Sequence, residues 1–312
     1  MAGSIGAMND RSLRYFLAVV RSGSVRRAAE ALHVAPSAIS RQVADLEVEC
    51  RQPLLERRAR GMVPTEAGWL VAEHAQRQVE NLDLLQDRLQ RMLGVKDGTV
   101  RIRCGSTWLP DLLENGILPF GAQHPDLKWQ VGLGTTATIQ AAVASGDADI
   151  GILYNPTQHE GLVSRAVATR GVQALVSAAH PLAADLAPRY LRALCGVPVA
   201  VLPESHGLRQ LLGRIEADED FRLMIRLETE AVDLQRQFAL SGAGIAISSG
   251  LLISQEGQGP RLVAIPLLDP VLAAGKVHLI VRAERRLPEA VERTAEYLRV
   301  RMLAFQTAFC PA

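Results

Sequence analysis

The fold of the N-terminal region is decided by the stretch Ser24-Val-Arg-Arg-Ala-Ala-Glu-Ala-Leu-His33-Val-Ala-Pro36-Ser-Ala-Ile-Ser40-Arg41-Gln42. Its pattern predicts two short amphipathic helices joined by a tight turn at 33–35. Ser24 suits the N-cap of the first helix, because its hydroxyl can accept from a free N–H group of the first turn. The predicted buried stripe of that helix is Val25, Ala28, Ala29 and Leu32. Pro36 suits the first turn of the second helix, where its missing N–H costs nothing.

The second helix is predicted to have one apolar and one polar face. Ile39, Val43 and Leu46 form the buried face, and Ser37, Ser40 and Arg41 form the exposed one. Small hydroxyls and an arginine on the N-terminal half of a helix can enter the major groove of DNA. Two successive amphipathic helices also fit a plain helical hairpin, so the flanking sequence has to decide between these alternatives.

The flanking sequence favours DNA binding. Upstream, a further helical stripe of Leu13, Phe16, Leu17 and Val20, closed by Gly23, supplies the third helix that a helix-turn-helix needs. Downstream, residues 53–65 are broken by Gly61 and predict a two-stranded wing. Arg57, Arg58 and Arg60 near its tip suit phosphates or a minor groove, although a solvated surface loop is the alternative.

The charge distribution agrees with a specific nucleic-acid contact. Residues 1–66 contain ten arginines and seven acidic residues, an excess of three positive charges, whereas the whole chain has a net charge of +1. This excess is too small for a strongly basic nucleic-acid coat. It favours a specific contact that depends on salt concentration.

Several short motifs resemble, in order and spacing, the N-terminal signature of the LysR-type transcriptional regulators. They are 13–16, Gly23-Ser24, Ala28-Ala29-Glu-Ala-Leu32, Ser40-Arg-Gln42, Leu46-Glu47, 53–57 and 65–68. One departure is Pro36-Ser37, where the family often has Gln-Pro. The resemblance implies double-stranded operator DNA and RNA polymerase as partners. The candidate DNA-binding residues are Ser24, Pro36, Ser37, Ser40, Arg41, Arg58 and Arg60.

One long helix is predicted from Thr65 to about Leu93. Its apolar residues Val71, Ala75, Leu82, Leu85, Leu89 and Met92 follow a 4-3 spacing that Gln78 interrupts. This spacing favours a helix–helix seam between two subunits, with Val71, Leu82, Leu85 and Leu89 as candidate dimerisation residues. The alternative is an amphipathic helix packed on its own domain. Residues 94–98 are predicted to form a hinge.

From residue 99 onwards the sequence alternates between strands and helices, which predicts mostly parallel sheets in two lobes with a cleft between them. The motifs at 146–151, 180–183 and 242–245 resemble the effector-domain markers of the same family. The resemblance implies a type-II periplasmic-binding-protein-like domain whose second lobe is inserted into the first, and a homotetramer built from homodimers.

The expected fold is therefore α+β multidomain: a winged helix-turn-helix, a long linker helix and a two-lobed α/β effector domain. The expected boundaries are 8–66 for the DNA-binding domain, 67–93 for the linker helix, 94–98 for the hinge and 99–305 for the effector domain. Lobe 1 is expected at about 99–165 and 268–305, and lobe 2 at about 166–267.

A small-molecule effector is expected at the carboxyl ends of the strands, where ligands of α/β sheets bind. The candidate residues are Ser106, Thr107, Thr135, Thr136, Ser205, His206, Arg209 and Thr229. The hydroxyls suit an anion such as a carboxylate, and His206 or Arg209 could supply the charge. Ordinary helix N-caps are the alternative. If Glu204, Glu228 and Glu230 face the cleft, a cationic or neutral effector is favoured instead.

The sequence lacks the motifs of the common enzyme classes. Gly132-Leu-Gly134 has no third glycine for a dinucleotide site, and no hydrolase, zinc-protease or Walker A motif occurs. We therefore expect no enzyme, no catalytic residue, and no metal or cofactor besides the effector. Cys50, Cys104, Cys195 and Cys310 are scattered, which suits a reducing cytoplasm and makes a redox role the lesser alternative.

The remaining alternative is a solute-binding protein without a transcriptional role. Such a protein would need a secretory signal and no helix-turn-helix. The first residues of this sequence lack a basic segment followed by an apolar one. No apolar run reaches the roughly 18 residues of a membrane span, so no membrane partner is expected.

Overall fold

The computed structural model describes residues 9–58, 61–92, 98–249, 261–283 and 287–306. The chain divides into two compact units, Met1–Val95 and Lys96–Ala312. The first unit consists of α1 (Asp10–Ser22), α2 (Val25–Leu32), α3 (Pro36–Cys50), β1 (Leu55–Arg58), β2 (Gly61–Pro64) and α4 (Glu66–Met92). The three helices and the antiparallel β1–β2 pair agree with the predicted winged helix-turn-helix.

Local chemistry sets the ends of the first helices. The Ser24 hydroxyl accepts from the N–H of Arg27 at 3.4 Å and so caps α2. Gly23 ends α1 with φ 64°, and His33 ends α2 with φ 54°, both in the left-handed region. Pro36 lies in the first turn of α3. The predicted turn at 33–35 is therefore confirmed.

The core of the first unit joins α1, α2 and α3. Its buried residues include Leu13, Phe16, Leu17, Val19, Ala28, Ala29, Ile39, Val43 and Leu46. The prediction that Leu32 is buried is wrong, because its side chain is 38% exposed. Leu32 is the last residue of α2, where the chain turns away at His33 and leaves the end of the apolar stripe uncovered.

The wing is attached to the turn that follows α1. The N–H of Met62 donates to the carbonyl of Gly23 at 2.9 Å. Gly61 has φ 122°, and a Cβ at this position would lie 2.5 Å from the carbonyl oxygen of Gly23. Only glycine fits this close approach of two backbone segments.

The long helix α4 has two different halves. Ala72 and Ala75 are buried in the core of the first unit, and Val71 packs against it. Packing on its own domain therefore explains the apolar residues of the first half. Leu82 is half-buried and Leu85 is exposed. The side chains of Leu89 and Met92 lie outside the described residues.

Of the predicted hinge at 94–98, the structure describes only Gly98. Residues 94–97 lie outside the described ranges. Gly98 is the first residue of a strand, so the prediction that it belongs to the hinge is wrong. Its pairing with Leu127 on the neighbouring strand fixes it in the sheet.

The second unit begins with β3 (Gly98–Cys104), and a continuous helical stretch follows. This stretch consists of a 3-10 turn (Ser106–Trp108), α5 (Leu109–Asp111), a π turn (Leu112–Ile117) and α6 (Leu118–Gln123). Pro119 lies in the first turn of α6. The π turn ends just before that proline, so the helix continues past a residue that has no N–H to donate.

The remaining elements alternate between strands and helices. They are β4 (Leu127–Leu133), α7 (Thr136–Ala144), β5 (Ile150–Tyr154), β6 (Leu162–Thr169), β7 (Gln173–Ser177), β8 (Pro198–Val201), α8 (Gly207–Asp218), β9 (Met224–Glu228), α9 (Val232–Leu240), β10 (Ile245–Ser248), β11 (Leu262–Pro266), α10 (Pro270–Ala273), β12 (Lys276–Arg282) and α11 (Glu289–Arg301). Short 3-10 turns occur at Pro181–Ala184, Leu191–Leu194 and Leu303–Phe305.

These strands form two five-stranded sheets, one in each lobe. The order is β4-β3-β5-β12-β6 in lobe 1 and β11-β7-β10-β8-β9 in lobe 2. Both sheets are mixed, which corrects the prediction of mostly parallel sheets. In lobe 1, β12 returns from the other lobe and runs antiparallel to β5 and β6. In lobe 2, β7 runs antiparallel to β10 and β11.

The lobe boundaries differ from the predicted ones. β6 pairs with β12, so lobe 1 continues to Thr169 and not only to 165. Leu272 of α10 is buried in the core of lobe 2, so the chain returns to lobe 1 after Ala273 and not at 268. The two crossing segments lie side by side, because the N–H of Arg170 donates to the carbonyl of Gly275 at 2.7 Å.

We find, among the described helices, none that is both long and apolar enough to cross a lipid bilayer.

Candidate functional site

The exposed face of α3 carries the predicted reading residues. Ser37, Ser40 and Arg41 are exposed. The opposite face buries Ile39 and Leu46 completely. Within the described ranges none of the three polar side chains has a hydrogen-bond partner, so their donors are available to a nucleic acid. Pro36, also exposed, starts this helix.

Ser24 has a structural task in the free protein. It is half-buried, and its hydroxyl is the cap of α2. Arg26 and Arg27 follow it on the exposed side of α2, and Arg26 pairs with Glu30 at 3.2 Å. These two arginines were not predicted as contacts, although their place after the N-cap indicates exposure.

The wing presents arginines beside a carboxylate. Arg57 and Arg58 are exposed, and Arg58 Nη2 lies 2.5 Å from Glu56 Oε1. Such an exposed pair contributes little free energy, so a phosphate can replace the carboxylate. Arg60 lies outside the described residues, and its predicted contact stays a prediction.

A cavity lies between the two lobes, where the carboxyl ends of the central strands meet. Its empty volume is about 440 Å³, part of which is open solvent. We call it the cleft cavity. The residues that line it are Gly105, Ser106, Thr107, Trp108, Gly134, Thr135, Thr136, Ile139, Leu153, Tyr154, Leu202, His206, Gly207, Leu208 and Ser249. Five of the eight predicted effector residues are therefore brought together: Ser106, Thr107, Thr135, Thr136 and His206.

The prediction that Arg209 supplies charge to the cavity is not supported by the structure. Arg209 Nη1 lies 2.7 Å from Glu216 Oε2, and the two side chains are 11% and 2% exposed. The other carboxylate oxygen of Glu216 accepts from the N–H of Leu223 at 2.8 Å. Arg209 is therefore committed to a buried ion pair on its own helix.

Ser205 and Thr229 also lie outside the lining of the cleft cavity. Ser205 is exposed. The hydroxyl of Thr229 accepts from the N–H of Ala231 at 3.1 Å, a local turn of the kind that the alternative interpretation expects. Glu204, Glu228 and Glu230 are exposed and do not line the cavity, which weakens the case for a cationic effector.

His206 is the titratable side chain of the lining that lies near a carboxylate. Its Nε2 is buried without a hydrogen bond and lies 3.7 Å from Glu230 Oε1. This distance is longer than a hydrogen bond, so the nitrogen has no hydrogen-bond partner among the described residues. His206 also precedes α8, and it makes no side-chain cap there.

The two threonines before α7 differ in what they can offer. Thr135 caps α7, since its hydroxyl accepts from the N–H of Thr138 at 3.4 Å. The Thr136 hydroxyl donates to the carbonyl of Tyr154 at 2.9 Å, so it can only accept from a ligand. For Thr135, the alternative of an ordinary N-cap therefore has structural support.

Ser106, Thr107 and Ser249 present free hydroxyls. Within the described part of the chain none of the three is hydrogen-bonded, and Ser249 is only 5% exposed. Ser249 was not among the predicted effector residues, although it directly follows β10. Because β10 is parallel to β8, its carboxyl end reaches the same edge of the sheet.

Burial raises the thiol pKa of two of the three described cysteines. Cys104 is buried, its Sγ lies 3.2 Å from the carbonyl oxygen of Gly105, and burial raises the pKa of its thiol. Burial first, and then Glu49, raises the pKa of Cys50. Cys195 is exposed. Cys310 lies outside the described residues.

A winged helix-turn-helix unit in the same chain as a two-lobed α/β unit with a cleft cavity defines a ligand-responsive DNA-binding regulator. Residues 11–69 match the family model of the bacterial regulatory helix-turn-helix protein, lysR family. Residues 94–302 match the LysR substrate binding domain. The chain belongs to the LysR family of bacterial transcriptional regulators. It is a regulator and not an enzyme, and the solute-binding alternative finds no support.

Curated relatives cover nearly the whole chain. The DNA-binding transcriptional dual regulator OxyR of Escherichia coli is 26% identical over 300 residues, which are 95% of this chain and 96% of the relative. A RuBisCO operon transcriptional regulator of Acidithiobacillus ferrooxidans is 25% identical, over 92% of both chains. GltC of Bacillus subtilis is 29% identical over 77% of this chain and 80% of its own. The names of these relatives state no effector, so they do not identify the effector of this chain.

Solved structures support the fold. A variant of full-length OxyR from Pseudomonas aeruginosa matches with a TM-score of 0.70 at 21% identity, over 98% of this chain and 99% of that one. CbnR matches with a TM-score of 0.51 at 21% identity, over 96% and 99%.

Proposed function

We propose that this regulator binds an imperfect inverted repeat of double-stranded DNA and that a small molecule in the cleft cavity alters that binding. The observation that supports the cleft is the convergence of unpaired donors from both lobes: Ser106 and Thr107 from one, His206 and Ser249 from the other. Footprinting on the region upstream of its own gene, with and without candidate metabolites, tests the proposal. A ligand that shifts the footprint but binds outside the cavity would contradict it.

The DNA contact is assigned to α3 and the wing. Ser37, Ser40 and Arg41 face the bases of the major groove, and Arg58 and Arg60 face the backbone or the minor groove. The support is that Ser37, Ser40 and Arg41 are exposed on one face of α3, opposite its core. Arg41 is the residue that carries base specificity, since arginine pairs with the edge of guanine.

The active form is a dimer that joins α4 to a second copy. Val71 is partly covered by its own domain. The exposed apolar residues available for pairing therefore include Leu70 and Leu85, which are 66% and 51% exposed and lie on the same side of the helix. Apolar side chains of this size on a long helix favour burial against a partner. We further propose that two dimers join through their effector units into a homotetramer. This tetramer acts with RNA polymerase in the cytoplasm.

The effector is a small anionic metabolite, and no metal or other cofactor takes part. Its binding favours one arrangement of the two lobes and so changes the DNA affinity. Calorimetry with a metabolite found by screening tests this, because Ser106→Ala removes a free hydroxyl donor of the cavity and should weaken ligand binding while effector-free DNA binding stays intact.

A further inference from the structure

The chain crosses between the two lobes twice, and each crossing is fixed to lobe 2 by a buried side chain. We call residues 170–172 the first crossing segment and residues 272–275 the second. Val172 of the first segment and Leu272 of the second both belong to the hydrophobic core of lobe 2. The contacts that fix the other end of each segment to lobe 1 therefore decide where the two lobes can bend.

Tyr154, the last residue of β5, holds the first crossing segment to lobe 1. Its hydroxyl donates to the carbonyl of Arg170 at 3.0 Å, a contact that we call the hinge bond. Burial raises the pKa of the Tyr154 hydroxyl, so its proton stays available for this bond. The hydroxyl also occupies the space that a side chain on Gly275 would need. One hydroxyl group therefore contacts both crossing segments.

The side chain of Arg170 extends the same attachment into lobe 1. Its Nη2 donates to the carbonyls of Leu303 at 2.7 Å and Gln306 at 2.6 Å. The turn that contains Leu303 is held in turn by the buried carboxylate of Asp111, which accepts from the N–H groups of Leu303 at 3.0 Å and Ala304 at 2.7 Å. Arg170 is therefore attached to lobe 1 by its backbone and by its side chain.

The second crossing segment changes its attachment over a short distance. Ala273 ends α10, which packs on lobe 2 through Leu272. The carbonyl of Gly275 accepts from the N–H of Arg170 at 2.7 Å, so Gly275 is held together with Arg170 on the lobe 1 side. Ala274 lies between these two attachments.

The ring of Tyr154 lies where the two lobes meet. It packs against the hydrophobic core of lobe 1 and against that of lobe 2. A change in the arrangement of the lobes has to move the lobe 2 core past this ring. The hinge bond meanwhile keeps the ring and the first crossing segment together on the lobe 1 side.

We propose that the hinge bond of Tyr154 limits the bending between the lobes to Gly171 and Ala274. Arg170 stays with lobe 1 and Val172 stays with lobe 2, so Gly171 between them is left to bend. Glycine permits large changes of φ and ψ, and hinges consist of a few residues that absorb such changes. The hinge bond acts in the protein without an effector, so the inference goes beyond the proposed function.

Hydrogen exchange of the full-length protein, resolved to single amides by electron-transfer fragmentation, tests the hinge bond. Tyr154→Phe keeps the ring and removes the hydroxyl. The Arg170 amide should exchange about fivefold faster, because one hydrogen bond that holds this segment is lost. The Val172 amide should keep its rate, since it donates to Leu272 within lobe 2. The amides of β5 should also keep their rates, which a general loss of packing would raise.

Tyr297→Phe is the matched control for the hydroxyl. The Tyr297 hydroxyl is buried in lobe 1 and has no hydrogen-bond partner among the described residues, so its removal should leave the Arg170 amide unchanged. An unchanged rate at Arg170 in Tyr154→Phe would overturn the proposal. An equal increase at Arg170, Val172 and β5 would overturn it as well, because the hydroxyl would then stabilise the fold in general.

Gly275→Ala tests the same bond from the second crossing segment. The new Cβ would displace the Tyr154 hydroxyl, so the Arg170 amide should again exchange faster while the Val172 amide keeps its rate. Gly121→Ala is the control, since a Cβ there meets Trp129 Nε1 at 3.6 Å, an ordinary contact. A wild-type rate at Arg170 in Gly275→Ala would contradict the proposed hinge bond.

Discussion

Arg209 and Glu216 form a buried ion pair two turns apart on α8, with Nη1 and Oε2 2.7 Å apart. The side chain of Arg209 lies along the helix past Gly213, where a Cβ would be 3.5 Å from Nη1. The pair stabilises the helix that forms one wall of the cleft cavity. The same ion pair also keeps Arg209 from supplying charge to the cavity, although Arg209 directly follows the lining residue Leu208.

Arg209→Ala should therefore destabilise the effector unit without a specific effect on the ligand. Removing one partner of a buried pair leaves an uncompensated charge, which costs about 3–5 kcal/mol. Urea unfolding monitored on the effector unit measures this. Arg299→Ala is the control, because Arg299 pairs with Glu296 on the surface and the change there should be small. If Arg209→Ala is as stable as the wild type but binds the ligand more weakly, Arg209 belongs to the effector site of the cleft cavity.

Arg41→Ala should weaken operator binding by about 1–3 kcal/mol if Arg41 contacts the edge of a guanine. The side chain is exposed, so the fold should not change. Fluorescence anisotropy with the operator and with a scrambled duplex measures specificity, which Arg41→Ala should lower. Arg58→Ala should instead weaken both duplexes and reduce the salt slope by about one. If both variants bind like the wild type, the assigned docking face is wrong.

Gly61→Ala should detach the wing and weaken DNA binding. A Cβ at Gly61 would lie 2.5 Å from the carbonyl oxygen of Gly23, and φ is 122°. Neither backbone segment can yield without breaking the bond from the Met62 N–H. Gly196→Ala is a matched control, since its φ is also positive but no described atom lies within 4 Å of its Cβ. The control should show only the αL cost of about 1–2 kcal/mol in thermal unfolding. If Gly61→Ala and Gly196→Ala lose equal amounts of DNA affinity and of thermal stability, the contact with Gly23 is ruled out.

Leu85→Asp should abolish dimers and leave the monomer folded. Leu85 is half-exposed within one chain, so a carboxylate there is solvated in the monomer and buried without a partner in the dimer. Sedimentation velocity measures the oligomer, and circular dichroism checks the fold. Val300→Asp is the control, because Val300 is equally exposed on α11 of the other unit. An unchanged oligomer for Leu85→Asp would remove this helix from the interface.

The sequence was most informative where local chemistry decides the structure. Ser24, Gly23 and Pro36 mark helix ends through their own backbone and side-chain properties, so α1, α2 and α3 could be predicted closely. β6 is hard to recognise in the sequence because five of its eight residues, including Val163, Arg165 and Val167, are exposed and obscure the strand pattern.

Only part of the candidate effector site could be predicted from the sequence. The rule that ligands bind at strand ends led to Ser106, Thr136 and His206, and the same rule could have found Ser249 after β10. It could not show that Arg209 turns away, because the rotamer of a long side chain depends on its tertiary neighbours. The sequence also could not show that the first half of α4 packs on the core of its own unit. A 4-3 spacing of apolar residues does not identify the partner that covers them.

The hydrogen bond from the N–H of Met62 to the carbonyl of Gly23 ties the wing to the turn between α1 and α2. The arginines of β1 and the exposed face of α3 therefore belong to one DNA-binding surface. In the dimer proposed above, an effector would act on this surface as a unit, by changing how far apart and at what angle two copies of it meet the DNA.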